Sequence, residues 1–501
     1  MITTLIALPV IGALAILVFR SSASATRWLS LAFALAEAAL AALLVLGFDP
    51  GSSGVQFAEA VAWVPALGIQ YAVGVDGISL WMIALTAFLA PIAIGASWPL
   101  MEEHARDFGA LLLLLTSGLI GAFAATDMVL FFVFWEVMLI PMYLLIGMRG
   151  GDRRIGAAIK FFIYTAVGSL LMLAGIIALH VHASSKGINS FAIADLVRAA
   201  QGGVPFWIFL VFVLAFAIKV PLFPLHTWLP DAYTQAPLPT LVLGTMLVKV
   251  GAYGFIRFIY PLFPNELALN ANWLTILAVI GIIYGALCAI AQRDLVRLLA
   301  YSSISHLGFV LLGILALNSQ GVMGGLIQMV NHSISAGALF IVAAMIARRV
   351  GSTDIVNLGG LAARYPLIAA FFLLSMFSSA GVPGLNGFVG EFLTMLGAFQ
   401  PRQRLVVVAA GGVVLGAIYL VWMFQRLMHG RQKTQTVIDG RDLTMREALV
   451  LIPLAVAMVW IGVRPNTLLG RMESSVAVTV EQARTAAAPI LAASSNPTGR
   501  P

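Results

Sequence analysis

The chain has 501 residues, of which 61% are hydrophobic and only 10% charged, with a formal net charge of +7. A soluble domain is nearer one quarter charged, so this is a polytopic membrane protein, counted in spans and not in soluble domains. The arginines sit in short loops between apolar runs, which excludes nucleic acid as a partner. Cys288 stands alone, which excludes an intrachain disulfide and a cysteine metal motif.

A membrane-crossing helix needs about 20 apolar residues. The hydropathy pattern predicts fourteen, at 2–19, 28–47, 76–97, 108–124, 128–147, 157–181, 204–221, 239–260, 272–291, 296–317, 322–347, 366–397, 404–427 and 447–463. The first run has no basic segment before it and reads as a span, not as a cleaved signal peptide. An even count puts both termini on the outer side. The inside loops then collect most basic residues, among them Arg20, Arg27, Arg106, Arg149, Arg153, Arg154, Arg293, Arg297, Arg348, Arg349, Arg431 and Lys433. Outside loops hold Lys186, Arg198, Arg402 and Arg404, and the tail ends with Arg500. This bias is what the positive-inside rule expects.

Segment 48–75 is Gly-rich, with Trp63 and Tyr71, and is expected at the outer interface. Segment 183–203 reads as a loop with a short helix. Segment 426–446 is the longest inside loop. The end, Ala487–Pro501, is expected to fray.

Spans 4–8 and 9–13 form a weak internal repeat of five helices each. The fourth member of each is interrupted, by Lys219-Val-Pro-Leu-Phe-Pro224 in the first and by Ser378-Ser-Ala-Gly-Val-Pro-Gly-Leu-Asn-Gly-Phe-Val-Gly-Glu391 in the second. Five is odd, so the second unit enters the membrane inverted. Interrupted helices at matching places of inverted halves point to a transport site.

Five of the 28 basic residues are lysines, yet Lys219 and Lys249 lie deep in apolar runs. Arginine stays protonated, whereas a desolvated lysine can give up its proton. An intramembrane ionisable residue is a functional candidate by default. Prolines at 221 and 224 break the helix beside Lys219. Glu136 sits in a run with no other charge and needs a cation partner or a proton. Lys219 is the natural partner, and a Glu136–Lys219 pair that opens and closes is a switch for a proton; a fixed buried pair is the structural alternative. Glu391, just past the second break, is the candidate terminal site. Its alternative is a carboxylate favoured by a helix start. His226, His306 and His332 are relay candidates, and with Tyr301, Ser302, Ser303, Ser305, Asn331 and Ser333 they mark a polar axis in the second half. No spacing suggests a metal site. Lys160 reads as a snorkelling stem. Glu37 lies outside both repeats, where it could face a partner subunit. There is no P-loop, dinucleotide fingerprint, iron–sulfur motif or haem pairing, so the driving energy must come from elsewhere.

Four runs carry a resemblance: Phe134-Trp-Glu-Val-Met-Leu-Ile-Pro-Met142, Lys219-Val-Pro-Leu-Phe-Pro-Leu-His-Thr-Trp-Leu-Pro-Asp-Ala232, Leu299-Ala-Tyr-Ser-Ser-Ile-Ser-His-Leu-Gly308 and Asn331-His332. They resemble the antiporter-like subunits of proton-pumping NADH–quinone oxidoreductase, respiratory complex I, over about residues 100–460. Within that superfamily the pattern looks like the M-subunit (chain 4) branch. Glu391 stands where the L and N subunits and most multisubunit sodium/proton antiporter chains are expected to carry Lys, and the short stretch after the last span also fits. The resemblance implies an all-α fold of fourteen spans with two inverted five-helix repeats. It divides the chain into 1–107, a three-helix segment; 108–260 and 272–428, the repeats; and 429–501, loop, last helix and tail. It implies that Glu136 and Lys219 separate to release a proton, that Lys249 is the central relay lysine, that Glu391 is the exit-side residue, and that His226, His306 and His332 line a hydrated axis. It implies no cofactor in this chain, with FMN and iron–sulfur clusters in partner subunits, and L- and N-type neighbours in a bacterial inner membrane with both termini periplasmic. The competing readings are a sodium/proton antiporter chain, a membrane-bound hydrogenase subunit and a structural scaffold.

Overall fold

The computed structural model describes residues 1–19, 22–430 and 440–494. Arg20, Arg431, Lys433 and Arg500 lie outside the described residues, as do positions 431–439 of the long inside loop and positions 495–501. The chain is helical almost throughout. In order the helices are α1 (Ile2–Val18), α2 (Ala23–Gly47), α3 (Leu80–Ser97), α4 (Met101–Ala124), α5 (Met128–Arg149), α6 (Arg154–Ser184) and α7 (Ile193–Ala200). Then come α8 (Phe206–Lys219), α9 (Trp228–Gln235), α10 (Leu238–Leu262), α11 (Pro264–Ile290), α12 (Leu295–Ile314) and α13 (Ser319–Val350). The last are α14 (Pro366–Ser379), α15 (Asn386–Met428), α16 (Met445–Val463) and α17 (Asn466–Ser494). Among the described residues, 11 helices are long and apolar enough to cross a membrane, and α1, α8 and α14 are shorter apolar ones. Helix α15 is 43 residues long and leaves helical geometry at Arg402, just after Pro401, where a proline disrupts the backbone ladder.

Burial decides which helices form the axis. The most apolar window is 94% buried in both α10 and α13, against 28% in α2. A helix shielded from lipid on all sides can carry polar side chains, because they meet protein and not hydrocarbon. These two axial helices carry Lys249 and His332.

Three expectations are corrected. Segment 48–75 is not an irregular loop. It folds as an antiparallel hairpin of β1 (Gln56–Val64) and β2 (Ile69–Val75). Pairing within the hairpin satisfies backbone groups that an open loop at an apolar surface would leave exposed. The stretch after the last span is also more regular than expected: of Ala487–Pro501, expected to fray, residues 487–494 continue a helix and 495–501 lie outside the described residues. Helix α17 buries Leu468, Met472, Val476, Val480, Ala483 and Ala487, a stripe at three- and four-residue spacing that follows the helical repeat. It laces the loops at one end of the bundle: Trp81 Nε1 donates to Leu468 O at 3.1 Å, Gly77 N to Ser475 Oγ at 2.9 Å and Ser474 Oγ to Pro50 O at 2.8 Å. Glu37 does not face outward toward a partner. It is fully buried on the face of α2 that also carries Ser30 and Ala34, and neither carboxyl oxygen has a hydrogen bond.

Buried ion pairs tie distant segments together. At the end of β2, Asp76 Oδ1 accepts from Ile78 N and Ser79 N, both at 3.0 Å, and so caps α3. The same carboxylate receives Arg257 of α10 in a two-pronged pair, Nη1–Oδ2 and Nη2–Oδ1, each at 2.7 Å, while Arg257 Nε donates to Tyr253 Oη at 2.8 Å. At another junction Arg349, which had read as a loop charge, is 2% exposed and donates to Glu447 Oε1 at 3.0 Å and Oε2 at 2.7 Å. That joins the end of α13 to the capping box of Thr444 and Glu447 that starts α16.

Burial alone would raise the Asp76 carboxyl, but the charge and hydrogen bonds of Arg257 outweigh it and hold the group below its ordinary value. A depressed carboxylate contributes stability that is present above the unfolded-state value, near pH 3.9, and is lost as pH falls through the folded one. Asp76→Ala should therefore destabilise the protein by about 3–5 kcal/mol, since it strands a buried guanidinium. Thermal unfolding of purified protein should show a constant deficit from pH 7 down to about 4 that narrows only below it.

Candidate functional site

The first break starts where α8 ends, at Lys219. Pro221 and Pro224 bring no amide hydrogen, so the α8 carbonyls lose their usual donors. Trp228 supplies a replacement: its Nε1 donates to Ile218 O at 2.9 Å. The tryptophan of the His-Thr-Trp-Leu-Pro-Asp run thus holds the broken end of the helix. Lys219 is fully buried, and its Nζ makes no hydrogen bond within the chain. It lies 4.9 Å from the centre of the Trp135 ring, within reach of the attractive face of an indole.

Glu136 is the carboxylate whose charge acts on Lys219, yet no hydrogen bond joins them, and Glu136 Oε1 is buried without a partner. Of the pair expected to open and close, this structure holds the two groups apart. The reason is local. Successive residues on a helix point about 100° apart, and it is Trp135, not Glu136, that presents its ring to the lysine. Trp135 carried no charge to draw notice in the sequence.

His226 is buried between aromatic rings, 5.6 Å from Phe223 and 5.0 Å from Tyr284, with Nδ1 unbonded. It touches none of the other candidate residues directly. Lys160 does not simply snorkel. Its Nζ donates to Asp231 Oδ2 at 2.7 Å, and Arg297 Nη1 donates to Asp231 Oδ1 at 3.2 Å. Asp231 thereby links α6, α9 and α12, a role its place in the motif did not disclose.

The axial helices bring four candidates into one line. Lys249 Nζ lies 2.6 Å from His332 Nδ1. His306 Nδ1 lies 2.8 Å from Glu391 Oε1. The two imidazoles face each other with ring centres 5.6 Å apart. With Lys249 as an ammonium, which has only donors, His332 accepts at Nδ1 and carries its proton on Nε2. An ionised carboxylate only accepts, so His306 donates from Nδ1. Both Nε2 atoms lack a partner within the chain. Beside them is a cavity of about 10 Å³, lined by His306, Gln328, Asn331, His332, Ser335 and Ser378 among others. That is close to the least space one water occupies, ~10–15 Å³. The line is thus two bonded pairs, Lys249–His332 and His306–Glu391, with one gap that a single water can bridge.

The second break, between α14 and α15, is clamped to α13. Asn331 Nδ2 donates to Asn386 O at 2.7 Å, and Asn386 Nδ2 returns to Asn331 O at 3.2 Å. Ser378 Oγ donates to Asn386 Oδ1 at 2.5 Å and lies 2.5 Å from Ser335 Oγ. Each of the four residues has at least one partner in this buried network, although Asn331 Oδ1 has none among the described residues. It sets the half-helix that carries Glu391 against the helix that carries His332. The sequence reading noticed Asn331 but missed Asn386, Ser335 and Gln328. The signal was available: Gln328, Asn331, His332 and Ser335 recur at three- and four-residue steps and share one face of α13.

The chain is similar to proteins of known kind over almost its whole length. The family described as NADH:quinone oxidoreductase/Mrp antiporter, TM, matches residues 125–419. NADH-quinone oxidoreductase subunit M of Rhodobacter capsulatus is 39% identical over 465 residues, covering 91% of this chain and 90% of that protein. Among solved structures, a chain of respiratory complex I from Thermus thermophilus with bound NADH matches with TM-score 0.87 at 32% identity, over 96% of this chain and all of that one. A chain of the Mrp complex from Dietzia sp. matches with TM-score 0.86 over 97% of this chain and 99% of that one. At 22% identity the latter is a likeness of fold alone. The chain belongs to the family of NADH-quinone oxidoreductase subunit M.

Proposed function

We propose that this chain is the proton-translocating membrane subunit of an NADH–quinone oxidoreductase, a multi-pass translocase component that moves protons along Lys249, His332, His306 and Glu391. The observation that carries the reading is the succession of those four buried groups, two on the most buried helices α10 and α13 and two on the adjoining α12 and α15, with one water-sized gap between the imidazoles. A line of groups that can each bind and pass a proton is what translocation requires, and structural packing alone does not call for it. The redox chemistry resides in partner subunits, which hold FMN and the iron–sulfur clusters. This chain works beside other membrane subunits of the complex.

On this reading Lys249 is the central relay and Glu391 the exit-side group. Glu136 and Lys219 are the switch. Their separation, with Lys219 against Trp135, is the open arrangement in which the lysine is free to hand on its proton. His226, near Lys160 and Asp231, feeds the first half. Residues 108–260 and 272–428 are the two inverted units, 1–107 precedes them and 429–501 follows. The membrane is the bacterial inner membrane, with both termini and the β1–β2 hairpin on the periplasmic side. That assignment is supported by the excess of arginine at the opposite end of the bundle.

Glu136→Gln in inverted membrane vesicles tests the switch. The complex should assemble on a native gel, while NADH–quinone turnover and proton uptake fall together by about tenfold or more, since loss of a proton-transfer group costs ~10²–10⁴ in favourable cases. Wild-type values of both would return the pair to a structural role, and loss of assembly with no assembled, non-pumping variant would favour a scaffold. The isolated chain in liposomes should neither oxidise NADH nor build a proton gradient, and either activity would overturn the assignment.

A further inference from the structure

Glu391 has two oxygens in different surroundings. Oε1 accepts from His306 Nδ1 at 2.8 Å and from Gln328 Nε2 at 3.4 Å. Oε2 faces the backbone of the second break: a β-carbon built on Gly381 would stand 3.2 Å from it. Gly381 has φ +72°, a conformation that glycine adopts without strain, so the side of the break facing Oε2 carries no side chain. Two cavities of about 10 Å³ flank this point. His306 lines both. Gln328 lines only the one shared with His332, and Glu391 lines only the other, with Ser305, Ser379, Gly412 and Tyr419. The amide therefore stands behind the carboxylate, on the inner side of the line.

The position of that amide is itself enforced. Gln328 is 2% exposed, and its Oε1 is buried without a partner. A β-carbon at Gly390 would lie 2.1 Å from that Oε1. Only a glycine next to Glu391 leaves room for the amide. A buried carbonyl with no donor costs free energy, and packing alone would be served as well by a leucine or methionine. The arrangement makes sense if the N–H end is what the site needs.

We propose that Gln328 is a positioning residue for proton transfer. It fixes the rotation of the Glu391 carboxylate, keeping Oε1 as the acceptor for His306 and Oε2 turned to the break at Gly381. The groups facing Glu391 are His306 on α12, Gln328 on α13 and Tyr419 on the second half of α15, with His332 behind His306. This rests on the reading of Glu391 as the exit-side group. The test is therefore built to separate the two.

Gln328→Met keeps length and packing and removes the donor. Gly390→Ala displaces the amide without replacing Gln328, and its β-carbon would also stand 2.9 Å from Gln328 Cα and Cβ, so the two helices must shift apart slightly. Glu391→Gln controls for the underlying reading. Each is assayed as the whole complex in inverted vesicles, with turnover and proton uptake normalised to assembled complex and followed against pH. Both Gln328→Met and Gly390→Ala should slow turnover and proton uptake together by about tenfold, the weight of one hydrogen bond to a charged group. Both should change the shape of the pH profile of turnover and leave the quinone KM unchanged. If Glu391→Gln is slow while the other two match wild type in rate and pH profile, the role of Gln328 is overturned and the reading of Glu391 stands. If Glu391→Gln runs at the wild-type rate, the reading of Glu391 itself fails. A drop in assembled complex with wild-type turnover per complex makes Gln328 a packing residue and likewise overturns the proposal.

Discussion

Everything in this chain is arranged around the cost of placing charge inside a membrane. An ionisable side chain at the centre of a bilayer costs roughly 2.5–3.5 kcal/mol on insertion scales, and an unpaired one buried in protein costs more than a paired one. The structure answers by turning its deep charges to the protein side of the helices that carry them, as at Glu37, Lys219, Lys249 and Glu391. Helices α10 and α13 are the extreme case, and they hold Lys249, His332, Arg257 and Arg349. Charges that hold the fold together are paired two-pronged with carboxylates, as in Arg257–Asp76 and Arg349–Glu447. The groups proposed to move protons are held more loosely: Lys219 rests on a ring, and two imidazole nitrogens point into a gap.

The two helix breaks are built from different materials for the same end. In the first, prolines remove donors and a tryptophan restores one. In the second, a glycine turn opens the helix and an asparagine stitches it to its neighbour. Irregular backbone at membrane depth survives only where protein satisfies it, and both breaks meet that condition with side chains from the adjacent motif. The residues that make the breaks possible are therefore as much part of the site as the titratable ones beside them.

Much of this was legible in the sequence because a charge in an apolar run stands out. Glu136, Lys219, Lys249 and Glu391 were visible for that reason, and so were the breaks, since proline and glycine interrupt a hydrophobic pattern. What could not be read was who meets whom. His306 meets Glu391 across 85 residues, and Lys249 meets His332 across 83; no local pattern encodes such distances. Neutral residues were the other blind spot. Trp135, Gln328 and Asn386 act through a ring face or an amide, and nothing in hydropathy marks them. Helix α17 was missed for a different reason. Its apolar stripe of leucine, methionine, valine and alanine is regular, but the intervening serines, threonines and glutamates lowered the average enough to look like a tail.

The spacing of the imidazoles has a consequence for how many protons the axis can carry at once. Two positive charges 5.6 Å apart repel by about 3 kcal/mol at an effective dielectric of ~20. That is more than a hundredfold in the odds of finding both rings charged together. His332 lies against Lys249 and His306 against Glu391, so the two rings stand in different surroundings. On the proposed translocation reading, the line is a queue with a single admissible occupant at its middle, and one-at-a-time delivery follows from mutual exclusion along the row. Repulsion acts equally both ways, so direction has to come from the driving reaction in the partner subunits.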